Sequence, residues 1–257
     1  MIDPAPGFTA QVLLETEAPE REALAAWLTE RLGDAATVTV RGDAVVVRIG
    51  GGDSIGGDDG NHGAPEVVVR PVDAPVAGDG PASTVHPVFW RGDTTPVSRH
   101  RSHVEVSTEG SDPRAARLAL GYPLGSIAAI PGAVAVHDPA AGATWPAEVY
   151  ADLLHTCLAQ ELVPGALWAS VWLDRPEPGR PVSGRTVGLT ALGHPELVVT
   201  DSDAGVQPVY EVLSRLVDAV AAGATLPRGR TVPVGERRVQ VSPGPDPAGA
   251  LRVALEQ

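Results

Sequence analysis

Gly184-Arg-Thr-Val-Gly-Leu-Thr-Ala-Leu-Gly-His-Pro-Glu-Leu197 places three glycines, two threonines, a His-Pro pair and an acid between two runs of strand character. Glycine supplies positive φ, and proline fixes its own φ while holding the preceding residue extended, so the segment Gly193-His194-Pro195-Glu196 reads as a tight connection. Residues Thr186 to Thr200 are therefore expected to fold back as a β-hairpin. Period-two alternation gives Val187, Leu189, Leu197 and Val199 to a core, and Thr186, Thr190, Glu196 and Thr200 to the outside, subject to register. On the functional reading, Thr186, His194 and Glu196 converge at the hairpin tip, where an imidazole and a carboxylate bind a ligand or exchange protons. On the structural reading, turn chemistry alone accounts for the glycines and the proline.

Outward from this hairpin the chain alternates strand and helix signals. Phe8 to Thr16 reads as a strand, and a helix follows from Pro19 with Leu24, Ala25, Trp27, Leu28 and Leu32 at helical spacing, stopped by Gly33. Ala36–Val40 and Ala44–Ile49 are short strands joined by Arg41-Gly-Asp, and Glu66 to Arg70 is a further strand candidate. From Ser102 the opening pattern returns, with a strand His103 to Thr108, a helix near Asp112 to Leu120 and a strand Ala133 to His137. Thr108-Glu109 echoes Thr16-Glu17, so duplication of a β-α-β unit and chance similarity both remain open. Trp145 to Leu162 reads as a helix, Leu167 to Leu173 as a strand, Pro208 to Ala222 as an amphipathic helix and Arg238 to Ser242 as the last strand. The fold class is α+β, with mixed or antiparallel sheet and helices on one face, as two β-α-β-type lobes or one sheet continued across both. A Pro/Gly/Asp-rich stretch places the lobe boundary between residues 98 and 99, giving lobes 1–98 and 99–257.

Composition narrows the function. The net charge of -13 repels phosphate backbones and anionic lipid, so neither nucleic acid nor membrane is expected as a partner. No apolar run reaches the roughly 20 residues a bilayer span needs, and Met1-Ile-Asp-Pro-Ala-Pro lacks the basic start of a signal peptide; a cytoplasmic location is expected. The single Cys157 excludes an internal disulfide framework. All 19 basic side chains are arginines. Without lysine there is no pyridoxal-phosphate Schiff base, no P-loop lysine and no Ser-Lys pair, and no cofactor is expected.

Five other patterns each have a bland alternative. His100, His103 and Glu105 are the candidate metal set, against a solvated strand entrance. Asp53, Asp58, Asp59, Asn61 and His62 form an acidic loop without the regular spacing of a calcium hand. Gly184-x-Thr186-x-Gly188 lacks the immediate helix of a nucleophile elbow. Trp168 and Trp172 share one strand face and either pack a core or line an aromatic groove. Trp90 is the candidate exposed anchor, or a plug pinning the linker onto the sheet.

Leu167-Trp168, Arg185-Thr186-Val-Gly188-Leu189, Gly193-His194-Pro-Glu196-Leu197, the helix after Pro208 and Leu226 to Thr231 resemble a bacterial family known only as domain of unknown function 4261. The resemblance covers about the last third of the chain. It departs from the family pattern at Val198 and Arg230, where acids are common, and if either acid matters functionally the departures imply an altered function.

The binding set expected from these readings is Arg185, Thr186, Gly188, Gly193, His194, Glu196 and Trp90, with another protein as the partner. The preferred class is a non-catalytic interaction or regulatory protein, immunity-type or secretion-associated, whose acidity suits a basic partner. The alternative is a hydrolase or transferase using His194 with Glu196 or Thr186 in a cleft between lobes.

Overall fold

A computed structural model describes residues 7–50, 65–90, 92–110, 112–174, 179–244 and 249–255; the acidic stretch containing Asp53, Asp58, Asp59, Asn61 and His62 lies outside them. The fold is α+β, and the chain forms two compact units. The first comprises residues 1–139 and 143–159, the second residues 140–142 and 160–257.

The first unit is built on a seven-stranded antiparallel sheet. Its strands are β1 (Gly7–Leu14), β2 (Ala36–Arg41), β3 (Ala44–Ile49), β4 (Glu66–Val72), β5 (Ser102–Glu109), β6 (Ala133–Asp138) and β7 (Ala143–Pro146), in the order β2-β3-β4-β5-β1-β6-β7. Valine runs supply the central strands: Val45 to Val47, Val67, Val69, Val104 and Val106 are all buried, as β-branched side chains on a covered pleat should be. Helices α1 (Arg21–Leu32) and α4 (Pro113–Ala128) pack against the sheet and against each other, and α5 (Ala147–Ala159) packs on α4. Asp112 caps α4 by accepting the backbone N–H groups of Arg114 and Ala115.

Four expectations change here. The boundary between residues 98 and 99 would cut the sheet, because β5 is hydrogen-bonded on one side to β1 and on the other to β4. The repeated strand-helix-strand pattern lies inside one unit: β1 and β5, each followed by a helix, are central antiparallel neighbours, with Leu13 opposite His103. The Pro/Gly-rich linker forms two short helices, α2 (Gly80–Ser83) and α3 (Thr95–Arg99), which contact β7 and β6 respectively. Val97 of α3 is buried with Leu13 and Ala135, while Trp90 and Val85 pack against that cluster. Helix α4 runs eight residues past the expected stop at Leu120, through a buried Pro123, and the expected helical start Trp145–Pro146 is instead the end of β7. In α4, tertiary packing overrides the local breaker Pro123.

A buried ion pair anchors this unit. The Arg117 guanidinium donates to the Asp138 carboxylate, with 2% and 1% of the two side chains exposed, and lies 4.3 Å over the Phe8 ring. The buried Tyr150 hydroxyl, whose pKa burial and the neighbouring Asp138 carboxylate both raise, stays neutral beside it.

The second unit has a six-stranded mixed sheet. It contains β8 (Ser170–Leu173), β9 (Val182–Val187), β10 (Leu197–Ser202), β11 (Arg230–Val234), β12 (Arg237–Pro243) and β13 (Leu251–Leu255), ordered β11-β12-β13-β10-β9-β8. Only β10 and β13 run parallel. Helix α7 (Val206–Ala221) covers one face with Val209, Val212, Leu213, Leu216, Val217 and Val220, a stripe at spacings of three and four. A short helix α6 (Gly165–Trp168) precedes β8, so Trp168 is buried in a turn and does not share a strand face with Trp172. No described helix is long and apolar enough to cross a membrane.

Breaking one half of a buried pair strands the other charge, whereas replacing both with apolar groups of similar volume is nearly neutral. Arg117→Met is expected to destabilise the first unit by roughly 3–5 kcal/mol, and Arg117→Met with Asp138→Leu to recover most of that loss, both read by urea unfolding.

Candidate functional site

The expected hairpin is present, with β9 and β10 as its arms: Arg185 faces Val198 and Gly184 faces Val199 in antiparallel register. Its bend contains one 3-10 turn, Thr190–Leu192, ended by Gly193 at φ 80°. The backbone N–H of His194 donates to Leu189 O at 3.0 Å and closes the turn.

One side chain organises this bend. The Glu196 carboxylate accepts four hydrogen bonds, from Thr186 Oγ1 at 2.6 Å, Gly188 N at 2.9 Å, Thr190 N at 3.0 Å and Thr190 Oγ1 at 3.0 Å. Thr186 Oγ1 in turn accepts from Leu197 N at 2.8 Å. The Glu196 backbone carbonyl accepts from Leu251 N at 2.8 Å, tying the bend to β13. Charge-assisted bonds of this kind are roughly twice as strong as neutral ones, and with three donors on Oε1 and one on Oε2 they fix the Glu196 carboxylate within the bend.

The structure therefore redistributes the expected site. Thr186 and Glu196 do converge, but as donor and acceptor within the bend. Thr186 is 1% exposed and belongs to the inward set Val182, Gly184 and Thr186, whereas Val187 takes the opposite side with Arg185; the expected facing of these two residues is reversed. Burial of the hydroxyl is tolerated because both its donor and acceptor functions are satisfied. His194 is half-buried and its ring makes no hydrogen bond to Glu196 or Thr186. Arg185 is exposed on the outer face of β9. Gly188, at φ 121°, leaves no room for a side chain, since a Cβ would stand 2.6 Å from Trp168 O.

The remaining candidates lie in the first unit. Trp90 is half-buried against the Leu13–Val97–Ala135 cluster, its indole N–H donates to Asp93 O at 3.1 Å, and with Val88, Phe89, Pro146 and Val149 it lines an open depression. The metal set does not assemble. Val76 N donates to His100 Nε2 at 2.8 Å, and His100 Nδ1 donates to Val97 O at 2.6 Å, which uses both ring nitrogens. His103 Nδ1 donates to Ala74 O, and Glu105 pairs with Arg70. No group of three potential metal ligands comes together among the described residues.

A polar row that the sequence reading missed crosses the same sheet. Thr144, His137, Gln11, Glu105 and Arg70 occupy directly opposed positions on β7, β6, β1, β5 and β4. A hydroxyl relay runs from His137 Nδ1 to Thr144 Oγ1 at 2.9 Å, on to Thr84 Oγ1 at 2.9 Å, and ends on the Gly80 carbonyl at 2.8 Å. Because a carbonyl only accepts, the proton of neutral His137 sits on Nδ1. Alternation on β1 and β6 would have placed His137 and Gln11 on one face; their pairing depends on a strand order that no local pattern carries.

Burial lowers the His137 pKa from its ordinary 6.5, with Asp138 opposing and His100 adding to the shift. The unfolded chain thus binds a proton on this residue at higher pH than the folded one, so its stabilising contribution is complete above about 6.5 and is lost as pH falls below it. His137→Asn is expected to flatten the decline in urea midpoint between pH 6.5 and 5. In the second unit, Glu196→Ala is expected to cost about 2–4 kcal/mol by orphaning the donors of the bend. Gly188→Ala should cost at least ~2 kcal/mol from strain and the backbone clash. Urea unfolding followed at Trp168 and Trp172 measures both.

Scans of family models, of curated proteins and of solved structures each found no match to this chain.

Proposed function

We propose that this chain is a cytoplasmic, non-catalytic protein-interaction or regulatory module of immunity type, related to domain of unknown function 4261. The observation that carries the reading is the commitment of the Glu196 carboxylate and the Thr186 hydroxyl to the hairpin bend. A general base must reach the proton it abstracts, and a carboxylate tied by four donors to its own bend, three on Oε1 and one on Oε2, is not free to turn toward one. Arg185 and His194 remain as side chains that another molecule can contact, and Trp90 offers part of its ring beside the open depression.

Charge refines the partner. The chain's 32 acids and 19 arginines divide as 21 and 10 in the first unit and 11 and 9 in the second, so 11 of the 13 net negative charges belong to the first. A basic protein surface suits the first unit, where complementary potential raises the association rate.

Affinity capture of the tagged full chain from native lysate is expected to recover one protein in stoichiometric amount. Trp90→Ala and His194→Ala are expected to lower its affinity at least tenfold by titration calorimetry, with the circular dichroism spectrum unchanged. Hydrolytic turnover by the purified chain that His194→Ala abolishes would overturn the reading.

A further inference from the structure

Helix α7 covers one face of the six-stranded sheet; on the other, residues 140–142 lie against Ser170 and Val187 at the β8–β9 end, and no described helix covers the rest. A solvated second face is ordinary for such a sheet; the sign of its charge is not. Across the outer face Trp172 stands directly opposite Arg185, Arg185 opposite Val198 and Val198 opposite Arg252. Arg185 and Arg252 are exposed and form no ion pair among the described residues. Gln240 and Thr200 continue the face beside them, also exposed. In a chain with 32 acids against 19 arginines, none of the outward positions within β8, β9, β12 and β13 is acidic. Asp201 and Asp203 lie past the irregularity in β10, at one end of the face, where they share a depression with Arg237 and Arg252 without pairing to either.

Trp172 is held in place. Its indole N–H donates to Ser170 Oγ at 2.8 Å, so one ring edge is fixed while the residue stays half-buried on the surface. A positioned Trp beside Arg is the pairing enriched at protein interfaces. Arg185 and Arg252 are separated by one intervening strand, hence about 10 Å. A polyproline II segment with acids three residues apart presents two carboxylates on one side about 9 Å apart.

We infer that the outer face of the six-stranded sheet is a docking surface for an acidic, extended segment of a partner protein, with Arg185 and Arg252 each pairing a carboxylate and Trp172 taking the flanking apolar residue. The inference rests on the interaction-module reading and adds a second surface of opposite sign to the acidic first unit. A nucleic-acid strand satisfies the arginines as well, but the overall charge of -13 opposes a polyanion of high charge density.

The test uses the full chain and a dye-labelled peptide of four Glu-Pro-Pro repeats, followed by fluorescence anisotropy at 50 mM salt. Saturable binding is expected, weakened at least tenfold in Arg185→Glu with Arg252→Glu. The charge-matched Arg215→Glu, on α7 behind the sheet, should bind as wild type does, and a Lys-Pro-Pro peptide should not bind. Three results would each overturn the inference: no saturable binding of the acidic peptide, equal loss with Arg215→Glu, or tighter binding of an oligothymidylate of equal charge. If capture from lysate yields a partner whose affinity the double reversal leaves unchanged, this face is wrong while the module reading stands. If no partner is captured yet the peptide binds as described, the reverse holds.

Discussion

The Glu196 carboxylate closes the bend on which the second unit's sheet is assembled. Its four donors come from Thr186, Gly188 and Thr190, and its own carbonyl receives Leu197's neighbour across the sheet, Leu251. Side chain and backbone of one residue thus fix both the hairpin and the junction of β10 with β13, the only parallel pair in the sheet. The glycines follow from that arrangement. Gly188 passes so close to Trp168 and Ala169 that nothing larger fits, and Gly193 ends the turn in a left-handed conformation. A motif whose composition attracts a catalytic reading is explained by the donors that a bend exposes and the acceptor that satisfies them.

The same constraint separates the residues spent inside the bend from those left exposed. Thr186 and Glu196 face each other and are consumed; Arg185, one position along the strand, points the other way because successive side chains alternate. On the outer face it meets Trp172 and Val198. The first unit has a parallel division. Arg117, Asp138 and Tyr150 hold its interior, whereas His137, Gln11 and Glu105 form a polar row on the other face of the sheet, partly beneath the linker helices.

Much of this was legible in the sequence, and the parts that were not share a cause. The helix from Arg21, the strand pair around Arg41-Gly-Asp and the 184–197 hairpin were readable because local periodicity and turn chemistry determine them. Strand β7 was misread because Ala-Thr-Trp-Pro has no alternation to distinguish it from a helix start. Strands β11 and β13 were missed because five-residue runs, one of them interrupted by Pro233, are strands only through pairing, β11 with β12 and β13 with β12 and β10. The lobe boundary failed for the same reason: a linker rich in Pro and Gly marks an irregular segment, and only strand order says whether the sheet continues across it. At the candidate site the participating residues were visible, but which of them would be spent on one another was not, because that depends on register.

The placement of β1 has a consequence for how the chain emerges during synthesis. Its two neighbours, β5 and β6, are among the last strands of the first unit to be made. The apolar side of Phe8, Ala10, Val12 and Leu14 stays uncovered until α4, residues 113–128, has left the ribosome, a long-range closure of the slow, aggregation-exposed kind. The nascent chain therefore spends its most vulnerable interval before the second unit exists, and a holding chaperone acting on the N-terminal strand would have the whole of that interval in which to work.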